Sequence, residues 1–133
     1  MNHWIYKGQK FEEPALDDVG FVYIITEINT GKMYIGKKLF YQYVKRKPRG
    51  TKRVKRVQVP SDWKNYYGSS KDLQARLAYH GEMNYRREIL HICQSKGMLS
   101  YLEAKEQFDR GVLLSDEYYN GIINCRINEK HLK

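Results

Sequence analysis

GFVYIITEINTGKMYIGKK, residues 20–38, is the stretch on which the fold turns. Val, Ile, Phe and Tyr crowd both flanks of Asn29-Thr30-Gly31, and two β-prone runs around an Asn/Gly break read as a hairpin, over 20–28 and 32–40. Tyr23 and Tyr34 stand eleven residues apart across the turn. With an even loop, paired positions sum to an odd number, so both tyrosines point to one face. Gly36 removes a side chain from that face and leaves room for something to approach. A cross-strand aromatic pair explains the tyrosines as packing. A phenol that orients or deprotonates water explains them as chemistry, at about 4 kcal/mol for ionising a group of pKa ~10 at neutral pH. Nearby cations offset part of that cost, and composition alone leaves both readings open.

Lys37 and Lys38 end the second strand and lead into KRKPRGTKRVKR, residues 45–56, with eight cations in twelve residues. The chain carries +9, yet outside 37–56 there are 14 basic and 15 acidic residues, so the excess sits wholly beside the hairpin. No acidic residue occurs between Met33 and Ser61. A solvated loop is the plain explanation of such a run. Eight self-repelling cations are better tolerated against a polyanion, which points to a nucleic-acid backbone. A lipid surface fits less well, because no apolar helical anchor adjoins the run. Lys38, Lys45, Lys47, Lys52, Lys55 and Arg56 are the expected DNA-binding residues. About eight phosphate contacts would give log K against log salt a slope near −7.

The rest of the 133-residue chain bounds the architecture. Hydrophobic content of 41% excludes wholesale disorder, and no apolar run nears the ~20 residues of a membrane span. Residues 1–8 lack the apolar core of a signal peptide, so a soluble cytoplasmic protein with two reduced cysteines, Cys93 and Cys125, is expected. Residues 1–19 read as an irregular arm, and 44–58 as an irregular basic loop broken by Pro48 and Gly50. Ser61 caps a short helix at Trp63, and Ser69 with Asp72 opens a second that Gly81 ends. Trp63, Tyr66 and Tyr67 read chiefly as packing there. RREILHICQ, 86–94, is a third strand; its His91 and Cys93 lack the partners of a metal site. Ser100 starts the last helix, and Asn120-Gly121 is a turn signal. The order β-β-α-β-α predicts an α+β domain on a small antiparallel sheet of about three strands, flanked by helices.

Gly20-Phe21-Val22-Tyr23 on one strand and Tyr34-Ile35-Gly36 on the other resemble the GIY-YIG nuclease signature. The first half departs from it, FVY standing for GIY; the second matches. SDWKNYYGSS, EILHICQSKG, SYLEAKEQF and YYNGIINCRI extend the resemblance to the Seg-type free-standing homing endonucleases of phages, over about residues 20–127, with 128–133 as a tail. The resemblance implies DNA cleavage with Mg²⁺ (or Mn²⁺), in the cytoplasm of an infected host if the chain is phage-encoded.

It also implies a site: Tyr23 and Tyr34 about the attacking water, Lys37 at the phosphate, a helix glutamate on the metal, and Asn120 in support. Glu103 is preferred to Glu106 as ligand, although Ser100-Tyr101-Leu102-Glu103 is also a capping-box spacing that would occupy the carboxylate. A catalytic arginine is expected after the hairpin, among Arg46, Arg49 and Arg53. Arg76 is the close alternative, one helical turn before His80 on the same face. The rival class is a nucleic-acid-binding module that keeps the fold without the reaction. No separate DNA-reading domain is expected after residue 127, so specificity is low, comes from the basic loop, or arises in a homodimer.

Overall fold

A computed structural model describes residues 2–50 and 52–133. The hairpin forms as expected, with β3 over Gly20–Glu27 and β4 over Met33–Leu39, Tyr23 facing Gly36 and Ile25 facing Tyr34. β3 is an interior strand buried on both faces, which is why its GFVYII reads as an unbroken apolar run. Phe21, Tyr23 and Ile25 join an aromatic core with Trp4, Phe40, Trp63 and Leu73; Val22 and Ile24 join a second core with Ile35, Cys93 and Leu99.

The sheet is larger than the expected three antiparallel strands. Its order is β2 (Gln9–Lys10), β1 (Trp4–Tyr6), β7 (Tyr85–Cys93), β3 and β4, with β1 parallel to β7 and every other pairing antiparallel. The N-terminal segment is therefore not an irregular arm. β1 (Trp4–Tyr6) and β2 (Gln9–Lys10) form a hairpin whose two loop residues, Lys7 and Gly8, both take positive φ, the conformation a two-residue hairpin turn demands. Strands of three and two residues are too short to display alternation in sequence.

The basic segment is also ordered. β5 (Tyr41–Arg46) and β6 (Lys55–Pro60) pair as a separate two-stranded ribbon, and Pro48 and Gly50 serve the turn at its tip rather than abolishing structure. A 3₁₀ turn, Trp63–Asn65, comes next; Ser61 Oγ accepts the Trp63 N–H at 3.2 Å.

Helix α1 spans Lys71–His80 and ends at Gly81. Its cap is Ser70, not Ser69: the Ser70 side chain accepts the Leu73 N–H. β7 (Tyr85–Cys93) carries a bulge where the partner of Val22 is His91 and that of Tyr23 is Ile89. One extra residue reverses the facing of the strand on either side of it, so Tyr85 and Ile89 enter the aromatic core while Cys93 enters the other.

Helix α2 begins a turn earlier than expected, over Lys96–Asp109, capped by Ser95 through the Met98 N–H. Ser100 and Glu103 are thus mid-helix, and the capping-box reading of Glu103 falls away. Leu99, Ala104 and Gln107 form the buried side of α2, whereas Phe108 is exposed.

Candidate active site

β4 is an edge strand, and its outer side is only partly covered. Met33 N–H donates to the Glu117 carbonyl and the Tyr119 N–H donates back to Met33, so residues 117–119 run alongside as a short parallel cover. Asn120 then replaces backbone with side chain. Its Oδ1 accepts the Ile35 N–H at 3.0 Å and its Nδ2 donates to the Ile35 carbonyl at 2.7 Å, while Gln107 Nε2 reaches the same carbonyl at 3.2 Å. Asn120 is therefore a buried plug on the sheet edge, not the turn residue its Gly neighbour suggested.

Just past this plug lies a cluster drawn from both sheet faces. On the aromatic side Tyr23 is 1% exposed, its ring packed on Trp4, Phe21 and Tyr66 and 6.2 Å from that of Tyr34. Two glycines make space for the hydroxyls. A Cβ on Gly36 would lie 2.4 Å from the Tyr23 hydroxyl, and one on Gly68, whose φ is +88°, would lie 3.3 Å from the Tyr34 ring. The gap expected above Gly36 is filled by Tyr23 itself. Ser69, released from capping, shares a hydrogen bond with the Tyr34 hydroxyl at 2.9 Å. Burial pushes both phenols upward, Tyr23 well above the ordinary range with further help from Tyr66 and Tyr34. Both shifts favour the protonated phenol.

On the helix side, Glu103 reaches the same edge and is felt electrostatically by both tyrosines. Its side chain is 14% exposed, and burial raises its carboxyl above the usual value, with Lys37 opposing. Lys37 Nζ donates to Ser100 Oγ at 2.8 Å and stands 3.9 Å from Glu103 Oε1. Lys38 points to the other face, 2.6 Å from Asp62 Oδ1 and over the Tyr66 ring. One half-buried carboxylate beside Lys37 and within electrostatic reach of two phenols suits a cation that takes one or two protein oxygens and completes its shell with water and phosphate, the habit of Mg²⁺. Among the described residues no cluster of three or more His, Cys, Asp or Glu forms a protein-only metal cage.

Other expected residues go elsewhere. Glu106 is consumed by a different pair of partners: His91 Nε2 at 2.8 Å and Arg110 Nε at 2.9 Å. Although burial opposes it, Arg110 and His91 hold that carboxyl below its ordinary value. Arg76 makes a two-pronged bond to Glu27, with Nε and Nη2 each at 2.8 Å. The fully buried Glu27 also accepts from Thr30, Tyr85 and Tyr119, and is held far below the usual carboxylate range, chiefly by Arg76. Burial and the Glu27 carboxylate push the Tyr119 phenol up to about 12.

Arg46, Arg49 and Arg53 belong to the ribbon with Lys45, Lys47, Lys52, Lys55 and Arg56. Arg46 lies roughly 16 Å along β5 from Tyr41. The cations that follow Tyr34 on its own strand are Lys37, beside Glu103, and Lys38, over the Tyr66 ring. Tyr66, Gly68, Ser69 and Ser100 were missed as site residues. The run Tyr66-Tyr67-Gly68-Ser69-Ser70 was their signal, a tyrosine pair, a glycine and one serine more than a cap needs.

The sheet with its edge cluster is the framework of a GIY-YIG-type domain. Residues 4–123 match the family model SegE_GIY-YIG, described as "Putative endonuclease segE, GIY-YIG domain". The chain belongs to this family of GIY-YIG domains. No curated protein and no solved structure shows significant similarity to it.

Proposed function

We propose that the protein is a divalent-metal-dependent DNA endonuclease that hydrolyses phosphodiester bonds, with Tyr23, Tyr34, Lys37 and Glu103 at its centre. The observation that carries this reading is the convergence on one open sheet edge of Tyr23 and Tyr34 from the aromatic face and the Glu103–Lys37 pair from the helix face. Glu103 would hold Mg²⁺ or Mn²⁺, which when bound neutralises phosphate charge and lowers the pKa of bound water. Lys37 would turn from Glu103 to a non-bridging phosphate oxygen, with Lys38 beside it. Charge that builds up on the phosphate in the transition state is then met by groups already in place.

Tyr34 and Tyr23 keep their protons, so each can donate to one oxygen while accepting from the attacking water. Ser69 fixes the Tyr34 hydroxyl for that purpose. Water adds in line to phosphorus as the P–O bond to the leaving sugar breaks, and the proton that the water gives up passes through solvent to the departing alkoxide. Arg76 would act here as a clamp on Glu27 and the strand end rather than at the phosphate. The family description, a putative endonuclease with a GIY-YIG domain, supports the endonuclease part of this reading; a free-standing, homing-type role in a phage would be its biological setting.

Supercoiled plasmid incubated with the protein in Mg²⁺ or EDTA tests the reading. Metal-dependent nicking or linearisation is expected, lost in Glu103→Ala and retained in Glu106→Ala. Binding without cutting across several DNAs and metals would replace it with a non-cutting DNA-binding module.

A further inference from the structure

The ribbon formed by β5 and β6 has no evident structural duty. Apart from Tyr41, which packs at its base on the aromatic core, its close packing is chiefly strand on strand, and a two-stranded hairpin so exposed is marginal by itself. Its register sorts the side chains into two unlike faces. Tyr43, Lys45, Arg56 and Gln58 share one, on which Arg56 lies over the Tyr43 ring. That face fronts a cleft, at whose rim Gln42 and Lys96 also stand, and whose far wall includes Asp17 and Asp18, which repel a phosphate backbone. Gln42, Val44, Arg46, Lys55, Val57 and Val59 share the other. It combines two cations, an amide and a valine stripe, of which Val57 is 39% exposed.

We propose that the ribbon enters the major groove of duplex DNA with this second face on the groove floor, Gln42 and Arg46 reading base edges and the valines meeting thymine methyls. The proposal rests on the nuclease reading for its choice of partner. Six residues per strand give a ribbon of roughly 20 Å with its strands ~4.8 Å apart, which the ~12 Å major groove admits. Glutamine matches the donor–acceptor pair of adenine, and arginine that of guanine. Lys47, Arg49 and Lys52 at the exposed tip supply phosphate contacts, which position without specifying. Because β5 follows β4 after the single residue Phe40, the reading element is tied directly to the edge that carries Lys37 and Lys38.

Selection from a randomised duplex pool, in EDTA so that nothing is cut, tests the proposal. The wild type should enrich a motif, and replacing its guanines by 7-deazaguanine should weaken binding about tenfold or more. Gln42→Ala with Arg46→Ala should erase the preference at those positions. Lys47→Ala/Arg49→Ala/Lys52→Ala should keep the motif while affinity drops across all sequences. Gln42→Glu should move one position from adenine toward cytosine, a change of preference that a folding defect cannot imitate. No enriched motif, a motif untouched by the Gln42 and Arg46 substitutions, or equal binding to duplex RNA, whose major groove is too narrow for a ribbon, would each overturn it. Plasmid cleavage in Mg²⁺ is read separately. A motif without cleavage removes the nuclease and keeps the ribbon; cleavage without a motif does the reverse.

Discussion

Gly36→Ala should damage this protein far more than the addition of one methyl group suggests. The new Cβ would stand 2.4 Å from the Tyr23 hydroxyl, 2.6 Å from its Cζ and 3.1 Å from Tyr34 Cε2. Separations under 3.0 Å must be relieved by movement, and the Tyr23 ring has nowhere to go between Trp4, Phe21 and Tyr66. Overpacking of this kind costs about 1–3 kcal/mol. Gly121→Ala is the matched control, since a Cβ there meets nothing within 4 Å and its φ is not positive. Urea denaturation of both variants supplies the comparison. With an m-value of about 1.5 kcal/mol/M, 2 kcal/mol moves the midpoint by roughly 1.3 M. Gly121→Ala should stay within about 0.5 kcal/mol of the wild type. Adding Tyr23→Phe to Gly36→Ala should recover part of the loss by removing the closest contact while leaving the Cζ contact. Equal midpoints for the two alanine variants would refute the idea that Gly36 is required by the passage of the Tyr23 hydroxyl.

Glu103→Gln should stabilise the metal-free protein near neutrality. A carboxyl whose folded pKa is raised contributes stability below its unfolded pKa of ~4.3 and loses it as pH rises through the folded value. The wild type, and not this variant, should gain about 2.7 kcal/mol at Mg²⁺ one hundred times its Kd, read as a rise in Tm. Glu27→Gln should have the opposite pH signature. Its folded pKa is depressed, so its contribution is present above ~4.3 and is lost as pH falls through the lower folded value. The variant should lose about 3 kcal/mol at pH 7 and show a shallower acid limb in a Tm-against-pH series. Asn120→Ala strips Ile35 of its N–H partner and one carbonyl partner in a buried site; a loss of about 2 kcal/mol is expected by urea denaturation.

The hairpin was legible because β3 and β4 are long, and the odd sum of paired positions places both tyrosines on one face from sequence alone. Helix α1 and β7 were legible for the same reason, one from its Gly81 stop and the other from its apolar centre. The elements that stayed hidden were carried by few residues or by distant ones. β1 and β2 contain five residues between them, too few for periodicity, and only the parallel pairing with β7 gives them a place. The ribbon was masked by its own chemistry, since alternating cations on both faces erase the polar–apolar period that betrays a strand. The start of α2 was misplaced because two serines five residues apart, Ser95 and Ser100, both suit a cap. Lys96-Gly97-Met98-Leu99 is a weak helix opening that packing of Leu99 overrides. Arg76 and Glu27 are 49 residues apart and no local signal joins them.

An edge strand is usually a liability, a row of unpaired groups that invites another chain. Here it is closed up to the point where an opening is useful. Residues 117–119 cover Met33 with backbone, and Asn120 covers Ile35 with a side chain. Alternation then aims Lys37 at α2 and Lys38 at Tyr66, so consecutive lysines bracket the edge from its two faces. The groups between them share an electrostatic need. Glu103 is partly stripped of water with Lys37 as its nearby cation at 3.9 Å, and the phenols of Tyr23 and Tyr34 resist ionisation. A bare anion placed there would meet the lysines but also the carboxylate; a bare cation would meet the carboxylate but also the lysines. On the proposed reading, a phosphate together with a divalent cation would answer both at once, the cation taking Glu103 and the phosphate taking the Lys37 so released. Neutral phenols would suit such a pair, since hydroxyls can order water beside it without adding a charge that the partly buried edge could not solvate.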